Sequence, residues 1–211
     1  MQRAVAQPRN AMDRTQDVSF ALDQLTQLNA TNSAWRGKLD LTRVGLAGHS
    51  FGAHTTLAVA GAAYSALGIG SGGDARIKAA IPMSAPVPSN KARLDDAYAG
   101  VKIPCLHMTG TKDDSPIGDT KAAERRLPFN HCRNSDQFLI TFTGGDHMIF
   151  GGRERMMGGG KDAEFQRLIC QSSLAFWDAY LRSDAAAKEW LTTKFKDALG
   201  KEGVLEMKQK K

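Results

Sequence analysis

Val44-Gly45-Leu46-Ala47-Gly48-His49-Ser50-Phe51-Gly52-Ala53-His54-Thr55 is the stretch on which the fold turns. It reads as a short apolar strand, a Gly-x-Ser-x-Gly turn and the start of a helix. In a nucleophile elbow the serine stands at the tip of a strained strand-to-helix turn, and small residues two places before and after it keep neighbouring backbone from colliding. Gly48 and Gly52 hold those places around Ser50. The geometry lifts the Ser50 hydroxyl above the sheet edge and aims the Phe51 N–H, first in the helix, at a substrate oxygen as an oxyanion-hole donor. The context the motif needs is present, because residues 44–47 are apolar and residues 53–67 are Ala-rich without proline.

Working outward, 211 residues with 42% hydrophobic content suit one globular domain over 1–211 with a substantial core. Residues 1–12 and 201–211 read as disordered ends. The net charge of +6 is partly concentrated in Lys201, Lys208, Lys210 and Lys211 of that tail, and no basic stripe interleaved with aromatics argues for nucleic acid. No apolar run reaches the length of a membrane span, and residues 1–10 lack an apolar signal core, so nothing in the chain addresses it to a compartment. The three cysteines, Cys105, Cys132 and Cys170, make neither a disulfide framework nor a metal-ligand spacing. Cys105 and Cys170 read as small buried residues, and a Cys132–Cys170 bridge stays open as a pairing.

Before the elbow, residues 13–28 place Val18, Leu22, Leu25 and Leu28 at helical intervals, with Asp13 or Thr15 as cap. Beyond it, residues 77–83, 101–108 and 137–142 have the composition and length of strands. Residues 120–126, 162–182 and 185–199 read as helices between and after them. Strands separated by helical crossovers imply a mostly parallel sheet flanked by helices. Gly68 to Gly73 carries the letters of a dinucleotide fingerprint, but a helix precedes it and a strand follows, the reverse of what that site requires. The run Gly158-Gly159-Gly160-Lys161 fails as a phosphate loop, because Asp162 stands where a magnesium-binding hydroxyl belongs.

A serine hydroxyl is a weak nucleophile at neutral pH, so Ser50 needs a base, and the base needs an orienting acid. Of five histidines, His49 adjoins Ser50 and is read as pointing elsewhere. His54 lies in the helix, His107 in a strand, and His131 in a polar loop. His147 follows the last strand in a Gly-rich loop, where a ring can reach across the carboxyl edge of the sheet. Asp113 ranks first as the acid, just past a strand end; Asp114 beside it stays open, and Asp146 is too close in sequence to reach the far ring nitrogen of His147. Met83, Met148 and Phe150 join Phe51 as an apolar substrate lining.

The order Ser50, Asp113, His147 is that of the α/β-hydrolases. Gly48-His49-Ser50-Phe51-Gly52, Gly110-Thr111-Lys112-Asp113 and Gly144-Gly145-Asp146-His147 resemble the branch that contains dienelactone hydrolase-like and platelet-activating-factor acetylhydrolase-like esterases. The likeness runs from about residue 13 to 191. It implies a three-layer α/β-hydrolase fold, a serine esterase acting on a small-molecule ester through an acyl-serine, and no metal or organic cofactor. Only 49 residues precede Ser50, with no His-Gly-type loop among them. The resemblance therefore implies a truncated member lacking the N-terminal strands, with an exposed sheet edge open to homo-oligomer formation. An acyltransferase using the same triad, and a weakly active or non-catalytic fragment, are the alternative functions.

Overall fold

The computed structural model describes residues 8–64, 73–152 and 160–210. Helix α1, Pro8–Thr31, starts earlier than the spacing predicts, so residues 8–12 are helical and not disordered, and neither Asp13 nor Thr15 caps it. Proline suits a first turn, where its missing N–H has no intrahelical acceptor to lose. Ala11 and Leu22 face inward, and Leu22 packs with Val59 and Ile77. Leu25 and Leu28, expected on the same face, are exposed together with Phe20.

Strand β1, Val44–His49, turns through Ser50 into helix α2, Phe51–Val59. The helix predicted to residue 67 ends here, because Gly61 takes φ 113° and a Cβ on it would lie 2.3 Å from the Gly100 carbonyl oxygen. The chain continues through β2, Ile77–Met83, helix α3, Leu94–Tyr98, and β3, Cys105–Lys112. β3 begins later than predicted, since Pro104 has no N–H to offer a ladder, and runs four residues further, to Lys112. The helix expected over 120–126 is a 3-10 turn, Ala122–Glu124, followed by α4, Leu127–His131. Strand β4, Gln137–Asp146, leads to the long helix α5, Asp162–Leu181. The final predicted helix is broken into α6, Ala185–Glu189, a π turn, Trp190–Lys194, and α7, Phe195–Leu199.

The tail expected to be disordered instead forms β5, Gly203–Lys208, which pairs antiparallel with β4 and buries Leu205. Lys208, expected in that disordered tail, donates to the carbonyls of Phe129, Asn130 and Cys132. A strand this short carries too little alternation to stand out among lysines; its partner strand decides it.

The sheet runs in the order β1-β2-β3-β4-β5, parallel across its first three pairings. Alternation sorts its side chains. Ala79, Ile81, Leu106, Met108, Phe138, Ile140 and Phe142 lie on the face covered by Phe165, Leu168 and Phe176 of α5, with Leu191 and Phe195 beside them. Ala80 and Cys105 lie on the other face, under Ala53 and Leu57 of α2 and Leu94 and Tyr98 of α3. This is an α/β architecture of three layers with a mostly parallel sheet. Cys132 packs with the α2 layer and is buried, whereas Cys170 is exposed on α5, and all three thiols are free, so the Cys132–Cys170 pairing does not form. Among the described residues β1 pairs only with β2. Because β1 to β4 are parallel, their carboxyl ends share one sheet edge, and the residues that follow them converge there.

Candidate active site

Each parallel strand delivers one side chain to that edge: Ser50 after β1, Ser84 after β2, Asp113 after β3 and His147 after β4. Ser50 is held at φ 58° and ψ −119°, a left-handed conformation that side chains rarely adopt. The elbow is tied to the end of β2 by Ser50 N–H donating to the Met83 carbonyl at 2.9 Å, and the turn itself is closed by Ala53 N–H donating to the Ser50 carbonyl at 2.9 Å. A Cβ on Gly48 would sit 2.3 Å from the Gly52 carbonyl oxygen, so the elbow needs glycine there. Gly52 itself has open space where its Cβ would be, so the steric demand read from the motif falls on Gly48 alone.

The three residues singled out as nucleophile, base and acid are brought together. His147 Nε2 lies 2.9 Å from Ser50 Oγ, and His147 Nδ1 lies 2.8 Å from Asp113 Oδ1. Asp113 is completely buried; its Oδ2 accepts from the Ser84 hydroxyl at 2.6 Å and the Thr109 hydroxyl at 2.8 Å. An ionised carboxylate only accepts, so the Nδ1 facing it carries the proton, and the neutral ring presents its Nε2 lone pair to the Ser50 O–H. The Asp114 carboxylate turns away and caps Ala122 N–H at 2.9 Å beside Lys121. Asp146 accepts from Met148 N–H at 2.9 Å at the start of the 3-10 turn His147–Gly151. Close passage of β3 and β4 positions the two loops: a Cβ on Gly110 would meet the Gly145 carbonyl oxygen at 2.2 Å.

Sequence reasoning missed four members of this cluster. His49 does not point elsewhere: its ring centroid is 4.6 Å from that of His147, and burial, then the nearby His147, lowers its pKa. Ser84 and Thr109 are invisible in sequence as partners of Asp113. Arg125, with a side chain only 1% exposed, donates Nε to the Asp113 carbonyl at 3.1 Å and Nη1 to the Ser84 carbonyl at 2.7 Å. The doublet Arg125-Arg126 gives no sign of which residue turns in; Arg126 reaches out to Glu206.

The other histidines serve elsewhere. His107 is buried on Gln137 Oε1 at 2.9 Å, and burial lowers its pKa to about 4. His54, stacked on Tyr64, is lowered to about 4 by burial and then by Arg14. His131 pairs with Asp95. Of the apolar lining, Phe150 lies 5.7 Å from the His49 ring, Met148 is 53% exposed, and Met83 is partly buried at the end of β2. Among the described residues no group of three or more His, Cys, Asp or Glu side chains is placed to hold a metal ion, and no helix is long and apolar enough to cross a membrane. Residues 68–72 and 158–159 of the two glycine-rich runs lie outside the described residues.

A family model described as PET hydrolase-like matches residues 3–172, which span the elbow and the ends of all four parallel strands. A search of curated proteins finds no match.

Proposed function

The chain belongs to the PET hydrolase-like family, a serine-esterase family of α/β-hydrolase fold, and from that premise we propose that it cleaves carboxylic esters through an acyl-Ser50 intermediate. The observation that carries this reading is the His147 ring, spanning Ser50 Oγ at 2.9 Å and Asp113 Oδ1 at 2.8 Å. His147 Nε2 takes the Ser50 proton as Oγ attacks the ester carbonyl carbon, and Asp113 holds the tautomer and balances the imidazolium that forms. The oxyanion of the tetrahedral intermediate meets the Phe51 N–H at the positive end of α2. Collapse expels the alcohol, protonated by His147; water, deprotonated by the same ring, then releases the acid from Ser50.

The lining of Phe51, Met83, Met148 and Phe150 favours an apolar or aromatic group on the ester. The finer kinship with dienelactone hydrolase-like and platelet-activating-factor acetylhydrolase-like esterases rests on the three motifs and is part of this proposal. Ser50→Ala and His147→Ala are expected to abolish p-nitrophenyl acetate hydrolysis to a similar degree, about 10⁶-fold in kcat, because triad members act as a unit. Asp113→Asn is expected to lose about 10⁴-fold, a milder effect. Fluorophosphonate should label wild type and leave Ser50→Ala unlabelled. Wild-type turnover in Ser50→Ala refutes the assignment.

A further inference from the structure

Resting on that reading, we propose that Arg125 is a positioning residue for the Ser50, His147 and Asp113 array, whose buried guanidinium ties the ends of β2 and β3 together and supplies the counter-charge to Asp113. Three hydrogen bonds satisfy the Asp113 lone pairs, from Ser84, Thr109 and His147, but two of the donors are neutral hydroxyls and the carboxylate has no exposure to water. A charge buried so completely needs an opposite charge nearby. Arg125 provides it, with Nε 3.6 Å from Asp113 Oδ1.

The fork of the guanidinium does the rest. Nη1 donates to the Ser84 carbonyl and Nε to the Asp113 carbonyl, so one planar group fixes the backbone at both ends of the Ser84 to Asp113 hydrogen bond. Ser84 needs fixing, because it stands at φ 52° after β2, a conformation that surrounding contacts must hold. Arg125 Nη2 also lies 3.4 Å from His147 Nδ1. Both atoms carry protons when Nδ1–H faces Asp113, so this contact is a proximity of positive charge to the ring and not a hydrogen bond. The charged and titratable groups facing His147 are thus Asp113 and Arg125 from the β3 side and His49 from β1, with Asp146 preceding it in the chain.

Lysine carries the charge without the fork, and glutamine lacks the charge. Arg125→Gln is expected to lower kcat on p-nitrophenyl acetate about 100-fold and Arg125→Lys about tenfold, the scale of a modest misplacement of reacting groups. KM should stay within about twofold in both, since a side chain this buried has no path to substrate. Arg126→Gln, with an outward side chain, should match wild type throughout.

The second readout needs no turnover. Nitrogen-15 spectra of histidine-labelled protein in the Ser50→Ala background should show His147 as the Nδ1–H tautomer, and a mixture of tautomers once Arg125→Gln or Arg125→Lys is added. If wild type hydrolyses no ester while the tautomers shift, the esterase reading fails and the role of Arg125 stands. If kcat and tautomer both match wild type in the Arg125 variants while Ser50 remains essential, the role of Arg125 is overturned. Should Arg125→Gln not fold, Arg125→Lys decides alone, because the proposal requires the fork as well as the charge.

Discussion

Two glycines flank Ser50 symmetrically in sequence, and replacing each by alanine should have opposite consequences. A Cβ on Gly48 would lie 2.3 Å from the Gly52 carbonyl oxygen, 2.4 Å from its carbonyl carbon and 2.7 Å from Thr56 Oγ1. Carbon-to-oxygen contacts settle at roughly 3.3–3.6 Å, so the first overlap is about 1 Å. Two of the three atoms are backbone, and no rotamer change relieves them. Gly48→Ala therefore pushes β1 and α2 apart at the elbow, with a stability loss at the upper end of the overpacking range, about 3 kcal/mol. The same displacement acts on Ser50, which lies between those glycines at 2.9 Å from His147 Nε2. A shift of about 1 Å breaks that hydrogen bond, and misplacement on this scale costs about 100-fold in turnover. Gly52→Ala meets nothing within 4 Å and sits in the first turn of α2, where alanine is favoured by up to about 1 kcal/mol. Urea unfolding gives the stabilities, and p-nitrophenyl acetate hydrolysis per folded molecule gives the rates. Gly48→Ala with wild-type stability and rate, or Gly52→Ala as damaging as Gly48→Ala, would refute the reasoning.

Burial of neutral His107 makes stability fall with acid: its folded pKa of about 4 lies below the unfolded value near 6.5, so the unfolded chain binds the extra proton between those limits. The loss is absent above pH 6.5 and reaches about 3 kcal/mol near pH 4; urea midpoints across this window should fall less steeply in His107→Leu, and an unchanged slope would contradict the assignment. Lys208→Met leaves the buried-side carbonyls of Phe129, Asn130 and Cys132 without their shared donor and should cost about 2 kcal/mol by thermal unfolding. A Lys208→Met protein as stable as wild type would show that these three contacts contribute nothing to stability. The side of β1 that no described strand pairs predicts self-association that depends on protein concentration, and Ala47→Lys, a charge at the exposed residue of that strand, should shift light-scattering mass toward monomer. A wild-type chain that is monomeric at high concentration removes this expectation.

The sequence by itself carried whatever depends on local pattern. The apolar composition and length of residues 77–83, the elbow letters around Ser50 and the chain order Ser50, Asp113, His147 are all local or linear features of the chain, and these survive without a fold. Asp113, ranked above Asp114 because it directly follows a strand end, is the carboxylate that meets His147. Element ends were less legible. α2 stops early because Gly100 approaches Gly61 from a segment distant in sequence, and β5 exists because β4 offers it an edge.

The supporting cluster was decided only by the tertiary structure. Ser84, Thr109 and Arg125 reach Asp113 from three different segments, and His49 reaches His147 although its neighbour Ser50 faces the same ring. Nothing local distinguishes Arg125, which is buried against two carbonyls, from Arg126, which is paired at the surface. Hydrogen bonds and close ion pairs need atoms within about 3–4 Å in space, and only the parallel register that gathers four strand ends at one edge brings these groups that near.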